Sequence, residues 1–200
     1  LYSSSKILNS YDSNLNLDQK KFLNKLKSKF NISDVQSAIN NIKKLKATII
    51  GEVIIDKYIF CETVGKSGKE PHLVLKELNE EKYLGGVGAI ANNVSVFCDK
   101  SHLISYLGKK NNYYNYINKK LSNKVVKKFI YKKNSPTVEK KRFVDNINKS
   151  KIIGVYNLNE EDLVNSEIIK LNNLIKQTAK NSDLFIVSDY GHGLIGEKTS

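Results

Sequence analysis

The feature that most constrains this chain is a change of pattern at residue 46. From there on, short apolar runs rich in β-branched residues alternate with stretches of helical periodicity. Residues 47–50 (ATII) are apolar throughout and stop at Gly51, which fits a strand buried on both faces rather than an amphipathic one. Comparable runs recur at 101–107, 125–131, 138–144, 152–156 and 184–188. Between them lie an apolar helical stretch through Val94 and Phe97 and two more at about 111–122 and 160–180. This alternation predicts an α/β fold, a mainly parallel sheet flanked by helices. Stretches around 58–61 and 73–78, joined by a Gly/Ser/Lys turn at 64–69, predict a small two-stranded β flap over about 57–79. No internal repeat is evident.

The first 44 residues follow another pattern. Residues 1–16 are rich in Ser and Asn and read as a tail or linker. Over 17–30, Phe22, Leu23, Leu26 and Phe30 share one helical face. Ser33 with Gln36 three residues on predicts a capping box opening a second helix, with Val35, Ile39 and Ile42 inward. These residues are read as a connector, and 45–200 as the α/β domain.

Composition excludes several classes. No run of 18 apolar residues predicts a membrane span. Cys61 and Cys98 are far apart, which excludes a disulfide scaffold or a cysteine zinc cluster and fits a reducing, cytoplasmic setting. The net charge of +13 nominates a polyanion partner. Arg142, however, is the only arginine, and the lysines are spread along the chain. Specific phosphate or base readout recruits the arginine fork, so the lysines are read as solvated surface and nucleic acid is not expected as a partner.

Three constellations lie where strands end, the side on which open α/β sheets bind ligands. In GEVIID (51–56), Asp56 is placed either to accept hydrogen bonds from a polyol or to cap a turn or helix. In GGVGA (85–89), the paired glycines either let a ligand reach the backbone at a helix start or make a plain tight turn. In VSDYGHG (187–193), Asp189 could orient a metal-bound phosphate or a water, while His192, placed between glycines as a general base would be, reads as an exposed loop histidine. No Ser/His/Asp or Cys/His spacing and no carboxylate pair points to hydrolysis.

Taken in order, these segments resemble the ribokinase-like (PfkB) carbohydrate kinases, and within them the heptose-phosphate kinase half of bifunctional ADP-heptose synthases. The resemblance rests on Gly51 to Asp56, the flap turn Ser67 to Pro71, Gly85-Gly86 with Asn93 in the following helix, Pro136-Thr137 with Lys140 and Arg142, and Ser188 to Gly193. It covers about residues 45–195. It implies ATP and Mg2+ as cofactors and a sugar or sugar phosphate as substrate. Asp56, Gly85 and Gly86 would hold sugar hydroxyls, with Asn93, Lys140 and Arg142 lining the sugar side. Asp189 would lie near the nucleotide phosphates, and Lys66 or Lys69 on the flap would meet a substrate phosphate. The flap would serve as a lid that also pairs subunits into a homodimer.

Three departures accompany the resemblance. Ala89 and His192 stand where the family has asparagine and lysine. The Gly-x-Gly-Asp loop, whose aspartate takes the proton from the sugar hydroxyl, is absent. The chain therefore reads as a fragment with no catalytic residue of its own, the base expected beyond Ser200, and inactive by itself. Residues 1–10 resemble the tail of a small nucleotidyltransferase domain, which implies a bifunctional parent in surface-polysaccharide precursor synthesis. A non-catalytic sugar-binding module is the alternative.

Overall fold

The computed structural model describes residues 15–196 and Thr199. The expectations for residues 1–10, and for most of the 1–16 tail, lie outside that range. The chain divides into two compact units, Leu1–Ile42 and Lys43–Ser200.

The first unit holds α1 (Leu17–Lys29) and α2 (Ile32–Lys43). Each opens on a reciprocal cap. Asn16 and Gln19 exchange side-chain and backbone bonds of 2.9 Å, and Asn31 and Asp34 do the same. The expected Ser33–Gln36 box is thus displaced: the helix starts at Ile32, Ser33 already lies inside it, and Asn31 is the residue facing the orphan N–H groups. Neither helix contains a buried residue, so Val35, Ile39 and Ile42 do not point inward as expected. Two helices this short offer each other too little surface to close a core.

The second unit is built on two sheets. The main one contains β1 (Lys46–Gly51), β4 (Lys100–Lys110), β5 (Val125–Pro136) and β8 (Leu184–Ser188), in the order β5-β4-β1-β8 with every pair parallel. Alternate residues of its strands face opposite layers. Ala47, Ile49, Leu103 and Leu107 pack with residues of α3 (Val87–Phe97) and α4 (Tyr114–Lys120). Ile50, Ile104, Tyr106 and Ile130 pack with α5 (Asn165–Ala179) on the other face. The predicted α/β architecture with a parallel sheet between helices is what the chain adopts.

The second sheet is larger than the expected flap. It contains β2 (Val53–Lys66), β3 (Leu73–Gly86), β6 (Val138–Asp145) and β7 (Lys151–Asn157), in the order β3-β2-β6-β7. The hairpin β2–β3 is antiparallel, as expected, but β6 runs parallel to β2 and β7 antiparallel to β6. The runs at 138–144 and 152–156 therefore join the flap and not the main sheet. Their apolar residues are interleaved with Lys140, Lys141 and Arg142, a pattern suited to a sheet with one wetted face.

The two sheets meet where β1 ends. The chain leaves β1, makes the β2–β3 excursion, returns through α3 to β4 on one side of β1, and later reaches β8 on its other side through α5. The ends of β1 and β8 thus lie side by side, Gly51 opposite Ser188, at the point where strand order reverses.

Candidate functional site

Strand periodicity assembles the site. Asp56, Tyr58 and Phe60 alternate along β2 and so share one face. The register sets Asp56 opposite Lys140 and Tyr58 opposite Arg142 on β6, Asp56 opposite Tyr83 on β3, and Lys140 opposite Tyr156 on β7. The result is a polar and aromatic face across all four strands. On it Arg142 donates to Asp56 and lies 5.4 Å from the Tyr58 ring and 5.9 Å from the Tyr156 ring. Lys140 sits 5.7 Å from the same Tyr156 ring. Burial works against the Arg142 charge, but the Asp56 carboxylate more than offsets it and raises the guanidinium pKa.

An open cleft of about 550 Å3 runs along this face to the start of α3, lined among others by Asp56, Tyr58, Glu81, Tyr83, Gly85 and Ala89. The cap alternative for Asp56 does not hold, because the residue lies inside β2 and its partner is Arg142. Gly86 is required by space and by conformation, whereas a Cβ on Gly85 would displace the Asp56 carboxylate. A Cβ on Gly85 would sit 2.1 Å from Asp56 Oδ2, and Gly86 has φ +56° with the Glu52 carbonyl oxygen 2.3 Å from where its Cβ would be. They end β3 and start α3, so no free turn stands there. Asn93 is exposed one helical turn beyond Ala89 and is not among the cleft-lining residues.

A second cluster forms at the strand ends. Glu52 is fully buried between β1 and β2. Its carboxylate accepts three backbone N–H groups from the loop after β8: Tyr190 at 3.0 Å, His192 at 3.3 Å and Leu194 at 3.2 Å. Lys132 of β5, also buried, donates to the carbonyls of Asn159, Glu161 and His192, and Tyr106 donates to the His192 carbonyl at 2.9 Å. The loop that follows Asp189 is therefore pinned by one buried anion and one buried cation. Asp189 itself is exposed and accepts from Gly191 N–H at 2.9 Å. His192 is buried, contrary to the exposed loop histidine expected, because the loop folds back onto Glu52. Burial, then the Lys140 charge, hold its pKa below the usual value, while Glu52 and Glu160 partly oppose them and Lys132 adds to them.

No family model matches the chain. A bifunctional protein HldE from a Nitratiruptor species is 27% identical over 157 residues, 78% of this chain and 33% of that protein. The bifunctional protein HldE of Campylobacter jejuni is 28% identical over 159 residues, again 78% of this chain and 32% of that protein. The chain thus spans about a third of the length of the curated relatives it matches. Among solved structures, one described as "Possible 1-phosphofructokinase" from Thermotoga maritima superposes with a TM-score of 0.52 at 16% identity, covering 76% of this chain and 47% of that one. The chain shares the fold of that solved structure, a parallel sheet between helices with a second sheet beside it.

The β2–β3 hairpin of the second sheet is where the sequence placed the flap. The structure does not bring Lys66 or Lys69, expected to meet a substrate phosphate, beside Asp56. Lys66 lies ten residues along β2 from Asp56, about 30 Å at roughly 3.3 Å per residue, and Lys69 is in the exposed turn beyond it. Sequence reasoning assigned no role to Tyr58, Tyr156, Glu52 or Lys132. Tyr58 was legible as the period-two neighbour of Asp56, whereas Tyr156 reaches this face only through the β6–β7 register. Glu52 was legible as an acid inside an apolar run, which marks a charge that must find buried donors.

Proposed function

We propose that residues 45–200 form the sugar-recognising part of an ATP-dependent carbohydrate kinase, of the heptose-phosphate kinase type, within a bifunctional parent that also carries a nucleotidyltransferase and makes surface-polysaccharide precursors. The first 44 residues act as the linker between the two activities. The observation that carries this reading is the Asp56–Arg142 pair set in the cleft beside Gly85, under a face of tyrosines. Paired carboxylate and guanidinium groups with flanking aromatic rings suit a polyol, whose hydroxyls need both donors and acceptors and whose C–H faces stack on rings. Gly85, Gly86, Asn93 and Lys140 complete the sugar side. A lid of this kind excludes water from the transfer.

ATP would lie at the strand-end side, where Asp189 is the exposed carboxylate. Mg2+ at kinase sites is held by one or two carboxylates and by the nucleotide phosphates, a role open to Asp189. The described residues contain no group of three or more His, Cys, Asp or Glu side chains that could hold a metal, so no step is assigned to the ion. When bound, the pair supplies the phosphoryl group and the charge that neutralises it. The two carboxylates lining the cleft are both engaged, Asp56 by Arg142 and Glu81 by the Tyr83 hydroxyl. Neither offers a general base, which supports the reading that these residues alone do not turn over. It is also the observation that favours the second reading, a non-catalytic sugar-binding module. A homodimer contact falls on the lid, whose Ile153 and Val155 are exposed. No helix among the described residues is long and apolar enough to cross a membrane.

The test is ATP consumption by the full-length parent and by this chain, against hexoses, heptoses and their phosphates, beside Asp56→Ala in the parent. Sugar-dependent turnover by the parent that Asp56→Ala impairs at least about a hundredfold bears the reading out. Turnover by these 200 residues alone would remove the claim of inactivity. A folded parent that consumes no ATP with any sugar would leave the binding module in its place.

A further inference from the structure

We propose that the cleft beside Asp56 ends in an anion subsite formed by Lys149 and Lys151. Its ligand is a sugar phosphomonoester whose phosphate lies at the end of the molecule remote from the hydroxyls that Asp56 takes. This rests on the reading of the Asp56 face as a sugar site. The starting observation is a second open cavity, of about 410 Å3, lined by Tyr58, Phe60, Glu81, Val144, Lys149 and Lys151. Tyr58, Phe60 and Glu81 also line the Asp56 cleft, so the two form one continuous groove. Register explains why the groove changes character along its length. Asp56 stands level with Tyr83, Lys140 and Tyr156. Two residues on, Tyr58 stands level with Glu81, Arg142 and Gly154, and two further on Phe60 stands level with Val144 and Lys151.

Charge is segregated along this groove. Its acids, Asp56 and Glu81, lie on β2 and β3 and are engaged by Arg142 and by the Tyr83 hydroxyl. Its lysines lie on β7 and in the turn before it. Glu81 is three strands from Lys151, about 14 Å at roughly 4.8 Å per strand, too far to neutralise it. The turn is built to hold its lysine in place. Asp145 Oδ1 accepts the N–H groups of Ile147 and Asn148, both at 2.9 Å, and Lys149 follows with φ +60°. Its ammonium folds back to 5.0 Å from the centre of the Phe60 ring and donates at 3.2 Å to Asn146, a neutral amide. Neither Lys149 nor Lys151 makes an ion pair among the described residues. Two ammonium groups can only donate, and a phosphomonoester brings oxygens that only accept and close to two charges at pH 7, where a carboxylate brings one. Phe60 lies four residues from Asp56, about 13 Å at roughly 3.3 Å per residue, which sets the phosphate at the opposite end of the sugar. The groove therefore selects a terminally phosphorylated sugar over the free one.

The experiment is calorimetric titration of the 200-residue chain with matched pairs, hexoses and heptoses beside the same sugars phosphorylated on the terminal carbon, and with inorganic phosphate. One phosphorylated sugar is expected to bind at least about tenfold more tightly than its free counterpart. Combining Lys149→Gln with Lys151→Gln should cut that preference below about threefold while the free sugar binds within about twofold of the wild type. Lys66→Gln with Lys69→Gln should leave the preference intact, and Asp56→Ala should weaken both ligands. In the wild type the preference should grow from about pH 5 to pH 7 as the phosphate takes its second charge, a readout that needs no variant to fold. A preference that survives in the folded Lys149→Gln, Lys151→Gln protein, or free sugar binding as tightly as its phosphate at pH 7, would overturn the inference and leave the Asp56 site standing. Inorganic phosphate binding as tightly as the sugar phosphate would overturn it too, since the anion would then be held without the sugar. No binding by the wild type to any sugar or sugar phosphate would overturn both readings.

Discussion

Replacing Glu52 by glutamine tests whether one buried carboxylate organises the end of the domain. The side chain keeps its size, so no cavity opens, and only charge and one acceptor are lost. In the native protein three N–H groups point at the two oxygens, those of His192 and Leu194 at Oε1 and that of Tyr190 at Oε2. A hydrogen bond to a charged group contributes about 1.5–3 kcal/mol and a neutral one about 1 kcal/mol. If the amide oxygen takes the Oε1 position, two bonds weaken by about 1 kcal/mol each. The third is lost, because the Tyr190 N–H then faces an NH2 group. Relief of the buried charge offsets part of this, and the net expectation is a loss of about 2–4 kcal/mol. With a urea m value of about 2 kcal/mol/M, the unfolding midpoint should fall by about 1–2 M with m unchanged. Hydrogen exchange should speed up at residues 190–194 before it does in β1 or β4. A midpoint shift below about 0.3 M, or unchanged protection of that loop, would refute the argument that Glu52 holds it.

Three other outcomes are expected. Gly86→Ala should cost at least about 2 kcal/mol in urea unfolding, because φ +56° is strained for alanine and its Cβ would lie 2.3 Å from the Glu52 carbonyl oxygen, a backbone atom that cannot swing aside. Acidification from pH 7 to pH 5 should destabilise the fold. Burial, with Lys140 for His192 and with Lys128 and Lys100 for His102, holds both imidazoles below their usual pKa, so the unfolded chain binds more protons as pH falls past about 6.5. Stability contributed by the neutral rings is present above that value and is lost toward the depressed native pKa values, and His192→Asn should flatten the melting profile over this window. Finally, the Cys61 and Cys98 thiols, pushed up mainly by burial and then by Glu77 and Asp99 respectively, should react with a thiol-specific disulfide reagent at pH 8 far more slowly in the native protein than in urea. Equal rates would show that neither site is enclosed.

Much of the architecture can be read without coordinates, because its cause is local. The apolar run at 47–50 and the turn-bounded run at 184–188 became parallel neighbours, and the helix after Gly86 starts where its glycines end. The flap shows the limit. Residues 138–144 read as one more strand, and nothing in their own pattern says which sheet they join. That was decided by the parallel pairing of β6 with β2. Ser33 shows the limit at closer range, since two neighbouring cap signals compete and the helix took the earlier one, at Asn31. His192 shows it again: a histidine between glycines looks exposed until a carboxylate 140 residues away draws the loop inward.

The division follows from range. Periodicity and turn chemistry were enough to predict a mainly parallel α/β domain with a small β flap and to nominate Asp56, Gly85, Gly86 and Asp189, and the resemblance added Asn93, Lys140 and Arg142. Only the tertiary structure could pair Asp56 with Arg142, turn Tyr58 and Tyr156 onto the same face, and bury Glu52, Lys132 and His192 together. Hydrophobic pattern acts between residues a few positions apart. A buried charge acts on whatever the fold brings within about 3 Å, and that is set by strand order and register, not by distance along the chain.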